Sequence, residues 1–281
     1  MAEIPSIHDN TPVLIRQTES FGLVWYQSPL LLAAGTPHAF STRIGGVSPP
    51  PFDSLNMGNP SGSPLQDEAV RIMRNYLLLQ EAIGAKDRTV LRVHQVHGNA
   101  LIVAGESGEW DSCVKADAIV VTRADQLASV RIADCTPVLL AVEDGSAVAA
   151  VHAGWRGVIA GVVTRAMEQL NRLRPRKRII AAIGPCIGID SFEVGPEVLG
   201  EFRSAFGAEA PIRLRADGKG YVDLRQAIVR QLIAGGVDEA RIESTDRCTF
   251  RDNDEFFSHR RDQGVTGRMT ALIGVKMRKL R

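Results

Sequence analysis

Two histidines and one cysteine have the residue types and settings of a metal site with three protein ligands. His97 stands in Gln-Val-His-Gly, Cys135 in Ala-Asp-Cys-Thr-Pro-Val and His152 in His-Ala-Gly-Trp-Arg-Gly. Each follows a strand-like apolar run, and functional side chains collect where strands end. Three protein ligands leave one metal position open, as in catalytic zinc sites, whereas structural zinc sites close all four. The three residues therefore predict a metal-dependent enzyme in which they are both ligands and catalytic residues.

The same residues leave other interpretations open. Cys135 could be the nucleophile of a hydrolase with His152 as its base, but such a pair does not need His97, so we favour the metal. A non-catalytic metal-binding or interaction protein is a third interpretation. His94 would point to the opposite face of a strand from His97, so we do not expect it to bind the same metal.

Four arginines are candidate substrate-binding residues. Arg43 precedes two glycines in Ser-Thr-Arg-Ile-Gly-Gly, and Arg156 lies in Gly-Trp-Arg-Gly before a predicted helix, whose free N–H groups attract anions. Arg261 and Arg268 belong to a cluster near the C-terminus. Guanidinium groups bind phosphate and carboxylate through paired hydrogen bonds. A surface turn, a helix cap or a salt-bridged loop would explain these residues without a ligand; among them we rank Arg43 first for phosphate.

The apolar periodicity predicts the elements that must position these residues. Helices are predicted over 66–83, 158–173, 196–206 and 223–234, strands over 89–96, 116–122, 127–133, 179–183, 241–245 and 269–275, and short strands before residue 36. A hairpin is predicted for 138–142 and 147–151, and it would bring Cys135 close to His152. Because strands and helices do not alternate strictly, we predict an α+β fold with a mixed β-sheet core covered by helices, in a single domain over 1–281.

Composition narrows the class of protein. The 281 residues are 44% hydrophobic, and 33 Lys plus Arg balance 32 Asp plus Glu for a formal net charge of +1. A nucleic-acid partner is therefore not expected. We see no signal peptide and no apolar run long enough to cross a bilayer, which predicts a cytoplasmic protein without a membrane partner. The four cysteines are far apart, so disulfides are not expected either.

A series of motifs, in order from about residue 37 to the end, resembles the YfiH-like family, once called the laccase-domain or multicopper polyphenol oxidase family. The motifs are Ser-Thr-Arg-Ile-Gly-Gly-Val-Ser, Ser-Leu-Asn, Gln-Val-His-Gly, Ala-Asp-Cys-Thr-Pro-Val, His-Ala-Gly-Trp-Arg-Gly, Gly-Pro-Cys-Ile-Gly, Phe-Glu-Val-Gly, Ser-His-Arg-Arg-Asp and Thr-Gly-Arg. The resemblance implies zinc held at His97, Cys135 and His152. It also implies phosphorolysis of purine nucleosides (adenosine, inosine and methylthioadenosine) to base and sugar 1-phosphate, with adenosine deamination as a second activity.

The family also suggests two alternative functions. One is editing of peptidoglycan precursors, in which a misincorporated serine is removed from UDP-MurNAc-serine by hydrolysis. The other is polyphenol oxidation, but multicopper centres need many imidazoles, largely in closely paired motifs, and this chain has six histidines and no His-x-His pair. Because copper outcompetes zinc at most nitrogen and sulfur sites, copper bound here would be adventitious.

Overall fold

The computed structural model describes residues 13–20, 22–60, 62–105 and 110–277. Its strands are β1 Ile15–Thr18, β2 Val24–Gln27, β3 His38–Ser41, β4 Thr89–Leu91, β5 Leu101–Val103, β6 Ala118–Val121, β7 Gln126–Ile132, β8 Thr136–Val142, β9 Val148–Ala153, β10 Ile179–Ile183, β11 Glu193–Val194, β12 Ile212–Leu214, β13 Gly220–Val222, β14 Ile242–Glu243 and β15 Met269–Gly274. Its helices are α1 Pro29–Ala33, α2 Ala69–Ala82, α3 Trp155–Ile159, α4 Val162–Leu173, α5 Pro196–Phe206 and α6 Leu224–Ala234.

The strands form two six-stranded mixed sheets and a small third sheet. Sheet I has the order β1-β2-β3-β15-β7-β4 and sheet II the order β14-β10-β8-β9-β6-β5, while β11, β13 and β12 form the three-stranded sheet. Within sheet I, β4 runs parallel to β7, and within sheet II, β5 runs parallel to β6 and β14 to β10. The other pairings are antiparallel.

Sheets I and II pack face to face, and helices cover their outer faces. Val130 of β7 and Leu139 of β8 belong to the apolar cluster between the sheets. On the outer face of sheet I, Leu79 of α2 packs in a cluster with strand residues. On the outer face of sheet II, a third cluster includes Val163 of α4 and Ile228 of α6. Strands covered on both faces read as continuous apolar runs, which is why β8 and β9 lack a polar alternation.

The α+β prediction, with mixed β-structure covered by helices, is confirmed, although the strands form two large sheets instead of one. Helix α5 has the predicted bounds, and α6 begins where expected because the Asp223 side chain accepts a hydrogen bond from the Gln226 N–H at 2.9 Å. The prediction of a single domain over 1–281 stays a prediction.

Three local predictions were wrong. Leu30 to Ala34 were expected in a strand, but Ser28 caps a short helix there with Pro29 at its first position. The strand predicted over 89–96 ends at Leu91, so His94 and His97 lie in a loop. The helix predicted over 158–173 begins earlier and is divided at Gly161, whose φ of 75° breaks the helical path. Periodicity alone does not resolve such breaks, because the flanking apolar residues face the same core.

No helix in the described part of the chain is long and apolar enough to cross a membrane.

Candidate metal centre and its cavity

A tight hairpin brings Cys135 next to His152. Strands β8 and β9 pair antiparallel, with Thr136 opposite Ala153 and Pro137 opposite His152. Cys135 immediately precedes β8, so its side chain leaves the end of sheet II beside the His152 imidazole. The predicted turn around Gly145 makes this possible, since its φ of 70° suits a residue without a Cβ. The hairpin prediction is confirmed.

His97 reaches the same point from a loop that one buried carboxylate organises. The two oxygens of Asp117 accept hydrogen bonds from the N–H groups of His97 at 2.9 Å, Gly98 at 2.7 Å and Val96 at 3.3 Å. His97 itself has a φ of 60°, a left-handed conformation that side chains adopt at a cost of about 1–3 kcal/mol. The Asp117 hydrogen bonds hold the loop in this conformation.

Asp117 also orients the second imidazole. Its Oδ1 lies 2.8 Å from Nδ1 of His152, which leaves Nε2 of that ring free to bind a metal. Burial raises the pKa of Asp117, but the hydrogen bonds from His152, Gly98 and His97 outweigh it and hold the pKa below its ordinary value. A charged carboxylate behind a metal-binding histidine fixes the ring and raises the basicity of the free nitrogen.

The ligand atoms of His97, Cys135 and His152 lie within 4.8 Å of one another. The two imidazoles meet edge to face with their centroids 4.9 Å apart. Gly154 closes the group from behind, because a Cβ there would lie 3.0 Å from Cδ2 of His97 and 3.1 Å from Sγ of Cys135. Two imidazoles and a thiol gathered at one point are a donor set that suits zinc or another thiophilic metal.

The thiol and imidazole of this group perturb each other. Burial raises the pKa of Cys135, but His152 and His97 outweigh it and lower the pKa to about 6. Burial lowers the pKa of His152, but Cys135 and Asp117 outweigh it and raise the pKa to about 9. Each of these two groups therefore favours the charged form of the other. A thiolate is the form of cysteine that binds metals and also the form that attacks carbonyl groups.

Asp134 connects the metal-binding group to the C-terminal segment. Its φ is 90°, and its carboxylate accepts hydrogen bonds from the Thr249 hydroxyl and the Arg260 N–H, both at 2.7 Å. Its backbone oxygen accepts from the Ile187 N–H at 2.9 Å. One residue therefore fixes three chain segments around Cys135.

The group opens into a cavity of about 490 Å³, large enough for a small organic substrate. The cavity combines aromatic and aliphatic surfaces with several cationic side chains. Its lining consists of Asn59, His94, Gln95, His97, Arg131, Ile132, Ala133, Asp134, Cys135, His152, Trp155, Arg156, Ile187, Phe192, Leu224, His259, Arg260 and Arg268.

Two of the four predicted arginines line this cavity. Arg156 lies on α3 with its guanidinium 4.2 Å from the centroid of the Trp155 ring. Arg268 lies just before β15, and its Nη1 donates to the carbonyl oxygens of Thr266 and Gly267, both at 3.0 Å. Both arginines are therefore placed to meet an anionic ligand.

Arg43 and Arg261 are outside the cavity lining and have structural partners. Arg43 donates to Asp53 through Oδ1 at 3.1 Å and the backbone oxygen at 2.8 Å, and it stacks on Phe257. Arg261 pairs with Asp262 and donates to three backbone oxygens of the loop between residues 249 and 256. Of the four arginines, Arg156 and Arg268 therefore face the cavity, while substrate binding by Arg43 and Arg261 stays a prediction.

Sequence reasoning missed Asp117, Asp134 and Arg131. Asp134 directly precedes Cys135, and a polar residue beside a ligand is a usable signal. Asp117 begins the apolar run of β6, and a lone carboxylate before a buried strand could have drawn attention. Nothing in the sequence marks Arg131, which stands in a strand whose other residues are mostly apolar.

The sequence and fold match a known family. A family model described as multi-copper polyphenol oxidoreductase laccase matches residues 37–276, and this chain belongs to that family. The resemblance to YfiH-like proteins is confirmed with it. Among curated relatives, the purine nucleoside phosphorylase of Deinococcus radiodurans is 36% identical over 254 residues, which cover 89% of this chain and 94% of the relative. The purine nucleoside phosphorylase YfiH of Shigella flexneri is 37% identical over 242 residues, covering 86% and 95%.

Solved structures agree as well. YlmD from Geobacillus stearothermophilus superposes with a TM-score of 0.82 at 31% identity, covering 94% of this chain and all of that chain. The hypothetical protein YfiH of Bacillus licheniformis gives a TM-score of 0.81 at 26% identity, covering 93% and 99%. The names of the curated relatives support an enzyme that acts on small molecules.

Proposed function

We propose that this chain is a zinc-dependent purine nucleoside phosphorylase. The observation that carries the proposal is the placement of a two-histidine, one-cysteine group at the base of a cavity that arginines also line. The curated relatives at 36% and 37% identity bear the same activity in their names. Inosine, adenosine and methylthioadenosine are the proposed nucleosides, and inorganic phosphate is the co-substrate.

Zinc at His97, Cys135 and His152 would supply a Lewis acid within reach of the substrate. The other lining residues have distinct roles in the proposal. Trp155 and Phe192 offer aromatic surfaces for the purine or the sugar. Arg156 and Arg268 supply positive charge for the anionic groups of the substrates, and fixed cations cost little reorganisation when charge moves during the reaction.

Phosphorolysis exchanges one bond at the sugar for another. A phosphate oxygen forms a bond to C1′, the bond from C1′ to N9 of the purine breaks, and its electron pair leaves with the base, which then takes up a proton. Nothing is oxidised or reduced. The contribution of the chain is to hold phosphate and nucleoside together in one geometry, which removes most of the entropy cost of their encounter.

The first test is incubation of the metal-loaded protein with inosine, with and without phosphate. Release of hypoxanthine that requires phosphate supports phosphorolysis. Release of the base without phosphate would mean hydrolysis. If no nucleoside is consumed under either condition, the proposed function is wrong.

We infer adenosine deamination as a weaker second activity. Deamination occurs at C6 of the purine and phosphorolysis at C1′ of the sugar, so one binding pose cannot bring both atoms to the same metal-binding group. Inosine formation from adenosine in phosphate-free buffer measures deamination, and His97→Ala tests the dependence on the group. Equal deamination in the parent and the variant would indicate a contaminating deaminase.

One observation favours a second candidate function. The pKa of Cys135, lowered to about 6 beside His152, is what a cysteine nucleophile of an amide or ester hydrolase needs. Removal of serine from UDP-MurNAc-serine is the corresponding reaction. Turnover of this precursor by a protein that leaves nucleosides intact would favour editing over phosphorolysis.

Polyphenol oxidation has weaker support. In the described part of the chain, His97, Cys135 and His152 are the one group of three or more side chains gathered closely enough to hold a metal. A multicopper oxidase needs several such groups. We therefore expect no laccase activity from the zinc-loaded protein.

A further inference from the structure

Arg131 and Arg268 lie near each other where strands β7 and β15 meet the cavity. In the pairing of β7 with β15, Arg131 lies opposite Thr270. Arg268 comes two residues before Thr270, just ahead of the first residue of β15. At this spacing it lies diagonally from Arg131, at a distance that long side chains can span. Both arginines line the cavity that contains the metal-binding group.

The loop over residues 56–59 lies against both arginines. The backbone of Arg268 accepts from the Met57 N–H at 2.8 Å and donates to Oδ1 of Asn56 at 2.9 Å. The side chain of Arg131 packs on Gly58, where an added Cβ would lie 2.7 Å from Cδ and 3.0 Å from Nη1 of the arginine. The loop thus holds the backbone of Arg268 and the side chain of Arg131 against one short segment of the chain.

Neither arginine of this pair has a direct carboxylate partner among the described residues, and the Arg131 guanidinium makes no hydrogen bond to a described residue. Arg268 uses only Nη1, and both its contacts are backbone oxygens. Asp134 and Cys135 line the same cavity and act on Arg268 through their negative charge, but the carboxylate of Asp134 bonds to the Thr249 hydroxyl and the Arg260 N–H and not to either arginine of the pair.

Two neighbouring, partly buried cations without a direct anionic partner repel each other. This repulsion lowers the stability of the fold unless an anion binds between them. Burial lowers the pKa of Arg268, and the positive charge of Arg131 acts in the same direction; together they outweigh the opposite effect of Asp134 and Cys135. Such a pair matches a phosphate dianion, because two guanidinium forks can supply several parallel hydrogen bonds to its oxygens.

We propose that Arg131 and Arg268 together form the subsite for inorganic phosphate, with Arg131 as a binding residue that no sequence motif marks. The proposal rests on the proposed phosphorylase function for the identity of the anion, and it refines that function by naming where the attacking phosphate is held. Arg156, on the helix that follows β9, would then contact another part of the substrate.

Isothermal titration of the metal-loaded protein with inorganic phosphate tests the subsite without any turnover. Loss of a charged hydrogen-bonding group should raise the Kd for phosphate about tenfold or more in Arg131→Gln and in Arg268→Gln. Arg172→Gln is the matched control, because it removes the same charge from an exposed position on α4, and its Kd should equal that of the parent. Thermal unfolding of each variant verifies that it is folded.

Gly58→Ala gives a second variant that keeps both charges. Its added Cβ displaces the Arg131 side chain, whose flexibility limits the cost to folding, so phosphate binding should weaken without a loss of charge. In nucleoside turnover, Arg131→Gln should raise KM for phosphate more than KM for inosine. Arg131→Lys should restore part of the binding, since it returns the charge without the planar fork.

The outcomes separate this proposal from the proposed function. Phosphate binding that depends on Arg131, in a protein that consumes no nucleoside, would sustain the subsite and reject the phosphorylase. Phosphorolysis with unchanged phosphate affinity and KM in Arg131→Gln would reject the subsite alone. Titration with UDP tests whether the two arginines instead bind the diphosphate of a UDP-linked substrate. Binding of UDP without binding of inorganic phosphate overturns the proposal.

Discussion

Oδ1 of Asp117 lies 2.8 Å from Nδ1 of His152, and the same carboxylate accepts the N–H groups of the loop that carries His97. One buried side chain therefore fixes two of the three metal-binding residues. The positions of both histidines therefore depend on hydrogen bonds to Asp117.

Asp117→Asn should weaken zinc binding about 10- to 100-fold, the usual cost of losing a carboxylate behind a histidine ligand. The amide removes the negative charge and puts a donor where an acceptor is needed. Competition with a chromophoric chelator measures the affinity. Asp111→Asn, at an exposed position that caps Cys113, is the control. Equal zinc affinity in both variants would mean that Asp117 does not support the metal.

Cys135→Ala should lose bound zinc and nucleoside turnover together, because it removes the thiolate ligand. Metal analysis of the purified variant, beside an assay with inosine and phosphate, measures both. Cys113→Ala removes an exposed free thiol and should change neither. A Cys135→Ala protein that keeps its zinc but has no activity would favour the nucleophile interpretation over the ligand.

Gly154→Ala should weaken metal binding by crowding His97 and Cys135, although its backbone conformation suits alanine. The φ of Gly154 is −71°, so alanine is tolerated there, but its Cβ would press on His97 and Cys135 at 3.0–3.1 Å. We expect lower zinc affinity and reduced turnover, measured as above. Gly200→Ala, in α5 with open space at its Cβ, should instead stabilise the fold slightly, by about 0.5–1 kcal/mol. Identical zinc affinity in Gly154→Ala and the parent would contradict the crowding.

His38 should make the protein less stable in acid. It is buried, with Nε2 accepting from the Ser28 N–H at 2.8 Å and Nδ1 2.9 Å from the Thr36 oxygen. Burial lowers its pKa to about 4 from 6.5. Between these values the unfolded chain binds a proton that the folded chain does not, so stability is complete above pH 6.5 and falls towards pH 4. The expected slope is about 1.4 kcal/mol per pH unit.

Urea unfolding at a series of pH values measures this slope. His38→Gln should be less stable at neutral pH, because the buried hydrogen bonds are altered. Between pH 6.5 and 4, however, its free energy of unfolding should fall less steeply than that of the parent, because the variant lacks the one proton that His38 takes up on unfolding. Parallel curves for the parent and the variant between pH 6.5 and 4 would exclude His38 as the titrating group.

The sequence was most informative where local chemistry decides the structure. The N-cap of α6 at Asp223 and the hairpin turn at Gly145 were predicted correctly because each depends on residues close in the chain. The grouping of His97, Cys135 and His152 was also foreseen, from ligand chemistry and from motifs that match a family.

The sequence was less informative where distant segments meet. The division of the strands between two sheets depends on which apolar runs pack together, and their composition does not distinguish the partners. Arg43 precedes two glycines, as in an anion-binding loop, but its guanidinium pairs with Asp53 and stacks on Phe257. Arg131 has no such setting and lines the cavity, because strand pairing with β15 places it beside Arg268.

The short crossover between β7 and β8 has a consequence for how this site could change. Arg131 belongs to sheet I, and Cys135, four residues later, stands at the start of sheet II. The spacing between the candidate metal ligand Cys135 and the proposed phosphate-binding residue Arg131 is therefore tied to the separation of the sheets, which the side chains between them set. Substitutions at Val130 or Leu139, in the apolar cluster between the sheets, would change this spacing. Selection could adjust substrate size through the core while every reacting group stayed the same.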